Sequence, residues 1–498
     1  MKRPTPPTQE TYSQPLPKGR GGREEGEGRK KGEEKEEEKR SGGRMNDLEL
    51  AFEVLKWKGE RYSRLWDYYD GRHPQRYNAS RLAELFRRVD ANFSENWCGV
   101  VVDSVLERVN LLRFVVGEDE ALTSRLEMIW KDTEMDLQAW DVHLDALVTG
   151  EGFVMAGLDE NGELESYVND SRLVAAFYDA EKPNRMRMAA KWWLDMSAGG
   201  YRLNLYYPER IEYYASPKSD LQTSKAFTEY QPAAENPYGL IPVFHFRRER
   251  RGAISELDNV IPIQDAVNKL VADMMVSAEF GAFKQRYVIS NADGLGSLRN
   301  APNEVWTIPA GDGIGQGSTA GQFESTELGN YLSGIEHFVS AISTISKTPG
   351  HYFFKNQSHA PSGEALIAME SPLNHKCQRM IEMMGNTWEA VGRFLLETYS
   401  PRDLLPQPLS LKGEGSKKGE VRAVFEKPET VQPRTRAEIR QMNVTSGIPL
   451  VTSLRDEGWS DSQIRQMELD KDGERQAQQT SLAQALVTQQ RNFDRGRA

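Results

Sequence analysis

Residues 255–283 read SELDNVIPIQDAVNKLVADMMVSAEFGAF. Val260, Ile263, Val267, Leu270, Met274 and Ala278 recur at alternating steps of three and four, which places them along one face of a helix. The opposite face carries Asp258, Gln264, Asp265, Asn268, Lys269 and Asp273. Asp265, Lys269 and Asp273 are four apart, so they are expected to stack as an acid–base–acid ladder. A long helix with one narrow apolar seam and one hydrophilic face wants a neighbour of its own kind. That is the pattern of a subunit packed side by side in a ring, more than of a lone enzyme core.

A second such helix is expected over 325–346, where Leu328, Leu332, Ile335, Phe338, Val339, Ile342 and Ile345 line one side. Between the two lie candidate strands at 286–290 and 304–308 and a flexible glycine-rich segment, PAGDGIGQGSTAGQ (309–322). Lys347-Thr348-Pro349-Gly350 ends the second helix. A loop follows, and Ser362 is positioned to cap a long third helix whose stripe runs from Leu366 to Phe394, with Pro372 expected to kink it.

Upstream, helical stripes cover 46–70, 80–109 and 122–149. The period then falls to two. Residues 153–158, 186–193, 201–207, 211–215 and 240–246 read as strands of an antiparallel meander. Downstream, 409–412 and 421–425 read as a hairpin, and 433–470 as two short helices parted by Gly447-Ile448-Pro449. The fold class is α+β.

The 498 residues suffice for two to four domains. No run of 18 apolar residues is present and no N-terminal apolar stretch reads as a signal peptide. Two distant cysteines, Cys98 and Cys377, make neither a disulfide framework nor a zinc site, which fits a reducing compartment. Net charge is −11, and because residues 1–45 hold more Lys and Arg than Glu, the acidity resides in the remainder. Such a surface argues against tight nucleic-acid binding but suits a protein that lets DNA slide. The 1–45 tract is rich in Pro, Gly, Arg, Lys and Glu and is expected to be disordered, with Met45 an alternative start.

Catalytic signatures are missing from the sequence. The 311–321 glycines lack both phosphate-loop and dinucleotide spacings, and no Lys follows them. The seven histidines form no paired metal spacing, and there is no nucleophile elbow. The expectation is therefore no catalytic residue, no metal and no cofactor. The loop 347–361 stands apart. Lys347, His351, Lys355 and His359 bring local positive charge, interleaved with Tyr352, Phe353 and Phe354. It reads either as a helix connection with a hydrophobic anchor or as a loop meeting a nucleic-acid backbone.

Five segments in their order carry a resemblance: YYDGRHP (68–74), NWCGVVVDSVLERV (96–109), NPYGLIPVFHF (236–246), SELDNVIPIQDAVNKLVADM (255–274) and SHAPSGEAL (358–366). Together they resemble the portal proteins of tailed bacteriophages, in the branch found in many long-tailed phages. The resemblance implies a portal fold: a helical and β wing (46–250), a stem of two helices (251–289 and 324–346), and a small β clip (290–323). It further implies a tunnel loop (347–361), a long wing helix with a hairpin (362–430), a helical crown (431–470) and a flexible tail (471–498). It implies a non-enzymatic homo-oligomer, typically of twelve subunits, at one capsid vertex of the virion, assembled in the host cytoplasm. Its partners would be the terminase large subunit, a head–tail connector, the major capsid and scaffold proteins, and double-stranded DNA bound without sequence preference; no membrane is involved. Lys347, His351, Lys355 and His359 would lie near DNA. Asp265, Lys269 and Asp273 would line the channel or bridge subunits. Another ring-forming adaptor or scaffold protein is the alternative; a DNA-processing enzyme would need the metal-binding clusters that the sequence lacks. The 1–45 tract has no counterpart in the family pattern, and the crown is short.

Overall fold

The computed structural model describes residues 45–72, 95–217, 223–250, 252–282, 286–289, 319–322, 327–353, 362–399, 420–429, 433–459 and 463–477. The first helix, α1 (Asp47–Tyr69), starts on a reciprocal cap. The Asn46 side chain accepts from the Glu49 N–H at 2.7 Å while Glu49 accepts from the Asn46 N–H at 3.2 Å. One stripe of α1, from Ala51 through Tyr68, is buried, and Lys58 sits within it.

The second helix, α2 (Trp97–Leu106), is capped by Asn96, whose amide also donates to the Tyr69 carbonyl at 2.7 Å. It is shorter than the 80–109 stripe promised, and residues 73–94 lie outside the described residues. A strand that the sequence reading missed, β1 (Leu111–Val116), follows it. The expected helix over 122–149 is two helices, α3 (Glu120–Asp132) and α4 (Met135–Thr149). The break is at Glu134, whose φ of 55° is left-handed and cannot continue a helix.

Two sheets follow. The smaller holds β2 (Glu151–Leu158), β3 (Leu164–Asn169) and β9 (Val243–Arg247), in the order β3-β2-β9. The larger is an antiparallel run of β4 (Val174–Tyr178), β5 (Met186–Asp195), β6 (Gly200–Tyr206), β7 (Arg210–Ser216) and β8 (Thr228–Glu235). One face of the larger sheet packs Ala175, Met188, Leu203 and Leu205 against Ala51, Phe52 and Leu55 of α1. Part of its other face packs Val174, Ala189 and Tyr206 against Phe153, Met155 and Val243 of the smaller sheet. The opposite face of the smaller sheet, through Val154 and Phe246, joins the main core.

The two helices read first from the sequence are α5 (Ile261–Ala282) and α6 (Leu328–Ser346). Between them β10 (Arg286–Ile289) pairs antiparallel with β11 (Thr319–Gln322). The latter lies within the segment expected to be flexible, and the candidate strand at 304–308 lies outside the described residues. The long helix α7 (Gly363–Thr398) begins on Ser362, which accepts from the Ala365 N–H at 3.2 Å, and it runs through Pro372. Strand β12 (Val421–Phe425) pairs antiparallel with β1, a long-range partner the sequence reading did not give it. Residues 409–412 lie outside the described residues. The helices α8 (Pro433–Thr445) and α9 (Leu450–Asp456) flank Gly447-Ile448-Pro449 as read, and a further helical run covers 463–477.

The main core centres on Trp388 of α7, which is fully buried against Trp130, at 5.1 Å between ring centroids, and Phe246, at 4.5 Å. Its indole N–H donates to Nε2 of His143 at 2.8 Å, so His143 Nδ1 carries the proton and donates to the Val109 carbonyl at 3.0 Å. Burial lowers the His143 pKa to about 4 and keeps the ring neutral. Bases of α5 and α6 join this same core through Val267, Ile335, Val339 and Ile342.

Candidate functional site: the paired helices and the loop that follows them

The α5–α6 pair grows from the core as two adjoining helices. Gly334 lets them approach, since a Cβ there would sit 3.1 Å from Leu270 Cδ1. Farther out, Ser277 and Tyr331 share a hydrogen bond at 3.0 Å. At the base, Gly150 ends α4 with φ 95°, and a Cβ there would lie 2.4 Å from the Ile254 nitrogen. Only glycine permits both that conformation and that approach, so the chain leading into α5 is seated directly on the end of α4.

The proximal polar residues of α5 are inside the protein. Gln264 is fully buried; its amide donates to the Glu95 carbonyl at 2.5 Å and its oxygen accepts from the Trp97 N–H at 3.0 Å. Asn268 is buried and accepts from Gln264 at 3.2 Å. Asp265 is 8% exposed and accepts the Tyr68 hydroxyl at 2.6 Å. Burial and that hydrogen bond push the Tyr68 phenol up to about 12. The expected three-membered ladder is therefore divided. Lys269 pairs with Asp273, half-exposed on the helix surface, while Asp265 serves α1.

Before α5, Glu256 is clasped by two cations. Arg248, after β9, donates to it at 2.7 Å, and Lys376 of α7 closes on its other oxygen. Lys376 also donates to the Ser346 carbonyl at the end of α6, at 2.7 Å. Burial alone would raise the Glu256 carboxyl, but Lys376 and Arg248 reverse that and hold it below its usual value. One buried carboxylate thus ties the smaller sheet, the base of α5, the end of α6 and α7. A cavity of about 260 Å³ opens beside it, lined in part by Arg248, Asn259, Ile345 and Ser346.

The loop after α6 is anchored at its start. Lys347 adopts a left-handed φ of 59° and is exposed. Ser343 of α6 donates to the Thr348 carbonyl at 2.7 Å. A single 3-10 turn over Gly350–Tyr352 follows. Arg108, just past α2, donates to the Tyr352 hydroxyl at 2.7 Å and lies 3.5 Å from Glu370 of α7. His351 Nε2 lies 3.6 Å from the same Glu370. Phe353 is buried against Trp97, with ring centroids 5.5 Å apart. Of the four cationic loop residues named from the sequence, Lys347 is exposed and His351 is turned towards Glu370; Lys355 and His359 lie outside the described residues. Arg108 and Glu370, which fix the loop base, were missed. They are ordinary surface-type residues in helical stripes, and nothing in their spacing singles them out.

A second charged cluster sits in the sheet region. Glu151 accepts from Tyr62 at 2.5 Å, pairs with Lys58, and meets His245 Nε2 at 2.8 Å. Burial opposes its ionisation, yet Lys58 and His245 hold it far below the ordinary carboxylate range. Side-chain exposures of 6–7% for Glu151, Lys58 and His245 leave no access for a substrate. Among the described residues no group of three or more His, Cys, Asp or Glu is placed to hold a metal, and no helix is long and apolar enough to cross a membrane.

Residues 58–404 match the family described as phage portal protein, SPP1 Gp6-like. The chain belongs to this portal family. The matched range runs from Lys58 of α1 past the end of α7, so it holds both sheets, the α5–α6 pair and the loop base, while β12, α8 and α9 lie beyond it. The chain is similar to the portal protein of Mycobacterium phage L5, at 22% identity over 331 residues, and to that of Mycobacterium phage D29, at 21% over 326. Each alignment covers 62% of this chain and spans 66% of the relative's own length.

Proposed function

We propose that this portal family member forms a closed ring at one capsid vertex, with α5 and α6 as a stem around a channel for double-stranded DNA. In this reading the chain is a structural conduit. The terminase large subunit supplies the energy for packaging, and a head–tail connector docks later, both at the clip, 290–323, to which β11 belongs. Twelve is the expected number of copies. The two sheets with α1 to α4 and α7 form the wing, and α8 and α9 the crown, towards the capsid interior.

The observation that carries the proposal is the α5–α6 pair itself, seated in the core at its base and connected through β10 and β11. It leaves Leu328, Leu332 and Ile345 exposed at 38%, 51% and 49%, as a helix pair awaiting neighbours would. The loop at 347–361 would be the tunnel loop. Its fixed base, held by Arg108, Tyr352 and Glu370, is suited to presenting Lys347, Lys355 and His359 at a constant height. His351 would contribute through Glu370 more than through DNA. A few cations repeated by symmetry give shallow contacts, screened beyond about 8 Å at physiological salt, while the acidic remainder keeps phosphate from sticking. Lys269 and Asp273 would line the channel or bridge subunits, whereas buried Asp265 would position α5.

Native mass measurement and negative-stain microscopy of the purified full chain test the ring; a persistent monomer or dimer would sink it. Lys347→Glu with Lys355→Glu should leave rings intact and reduce DNA packaging. Undiminished packaging would remove these lysines from the contact level.

A further inference from the structure

The smaller sheet covers the larger only in part. Beyond the packed row at Ala189 and Tyr206, the same face of the larger sheet continues as a ledge on which Lys191, Trp193 and Arg202 are half-exposed. Its side wall is the edge strand β3, from which Tyr167 projects, 38% exposed. Its floor carries Lys191 and Trp193 of β5, Arg202 of β6 and Tyr230 of β8. Lys191 lies 4.8 Å from the Tyr167 ring centroid and 5.6 Å from that of Trp193. Arg202 lies 4.0 Å from the Tyr230 ring and is paired with Asp195 at 3.0 Å. Among the described residues Lys191 has no carboxylate at ion-pair distance. Its partial burial lowers its pKa to about 8, so the ammonium is desolvated without compensation by an anion. Cross-strand from it, the buried Asn204 side-chain oxygen has no hydrogen-bond partner among the described residues. The ledge is thus aromatic, and among the described residues Lys191 is its one cation without an ion pair, Arg202 being matched by Asp195.

The outer face of α4 has the opposite character. Leu137 is 73% exposed and Trp140 43%. Asp136 and Asp141 flank them, both exposed and neither ion-paired among the described residues. On a helix these four positions share an arc of about 140°. A closed ring needs two different, mutually complementary patches on each subunit, because its interface is heterologous. We propose that the ledge of one protomer receives the outer face of α4 from the next protomer. Asp136 and Asp141 of one copy would meet Lys191 of the other, while Leu137 and Trp140 pack on Trp193 and Tyr230. The proposal rests on the ring reading above; the occupant is chosen by charge complementarity, a cationic aromatic ledge against an acidic apolar helix face.

The test uses the full chain carrying Leu137→Cys and Tyr230→Cys together. Native Cys98 and Cys377 are buried and supply no background. Oxidation should give a ladder of disulfide-linked multimers on a non-reducing gel, with no disulfide-linked dimer from either single variant. Lys191→Glu should raise the concentration needed for ring assembly by about tenfold, a size typical of one lost interfacial charge pair. Asp136→Lys with Asp141→Lys should restore it in the same chain. Lys191→Met, which keeps the aliphatic stem, should weaken assembly in the same direction and guards against misfolding of the Glu variant. Normal rings by native mass with no ladder, and with Lys191→Met assembling as wild type, would overturn the inference and spare the ring. A disulfide-linked dimer from Leu137→Cys alone would overturn it in favour of a symmetric contact. Absence of any ring from the wild type would overturn both.

Discussion

The two halves of α5 solve opposite problems. In the proximal half, polar residues are buried: Gln264, Asp265 and Asn268 bond to Glu95, Trp97, Tyr68 and one another. From Lys269 onward, Lys269 and Asp273 are ion-paired with each other on the helix surface, and Met274, Met275 and Val276 are half-buried. The polar side of an amphipathic helix is usually the wet side. Here the proximal polar side chains act as fasteners to α1 and α2, while Met274 farther out still packs against the main core. The difference shows that the proximal end of α5 is fastened to this subunit through its polar side chains; in the proposed ring its distal end would be completed by neighbouring copies.

That contrast can be broken by substitution. The largest effect is expected at the clasp below α5. Glu256→Ala strands Arg248 and Lys376 beside a buried site and should cost about 3–5 kcal/mol, read as a shift in the urea midpoint of the unassembled chain. The same clasp should show in pH dependence. The folded carboxyl of Glu256 lies below its unfolded value, so its contribution is complete above the unfolded pKa of about 4.5 and is lost as pH falls below it. The stability difference between wild type and Glu256→Gln should therefore narrow as pH is lowered from 5 towards 3, by the approximate amount that one depressed carboxylate carries; a widening gap would contradict the clasp. Next in size is Tyr68→Phe, which removes the donor to Asp265 and should cost about 1–3 kcal/mol in thermal or urea unfolding. Smallest is the distal pair. Lys269→Ala or Asp273→Ala should change protomer stability by no more than about 0.5 kcal/mol, because a half-exposed i,i+4 pair is worth little. If either substitution disturbs ring assembly while leaving that stability alone, the pair bridges subunits; if only DNA passage changes, it lines the channel.

Much of the architecture was legible because periodicity reports local geometry. The α5 and α6 stripes, the Ser362 cap, the strands of the larger sheet around Gly199-Gly200, and the break at Gly447-Ile448-Pro449 all rest on neighbours in sequence. What escaped depends on distant partners. LLRFVV at 111–116 becomes a strand by pairing with 421–425, about three hundred residues away. VAAFY at 174–178 is largely buried and lacks clean alternation. TEYQPAAE at 228–235 carries Pro232 and is mostly exposed; its place at the sheet edge tolerates both. The turn at Glu134 is a left-handed conformation of a residue that seldom adopts one, so the sequence carries no warning of it.

For the candidate site, sequence supplied the helix pair, the loop after it and the resemblance that joined them, since each is a matter of residue type and order. It could also say that Asp265, Lys269 and Asp273 share a helix face. Only the tertiary structure decided that Asp265 belongs to Tyr68, that Lys269 belongs to Asp273, and that Arg108 and Glu370 set the base of the loop. A helical stripe fixes which residues point the same way; what waits in that direction, solvent or another helix, is settled by packing between segments far apart in the chain.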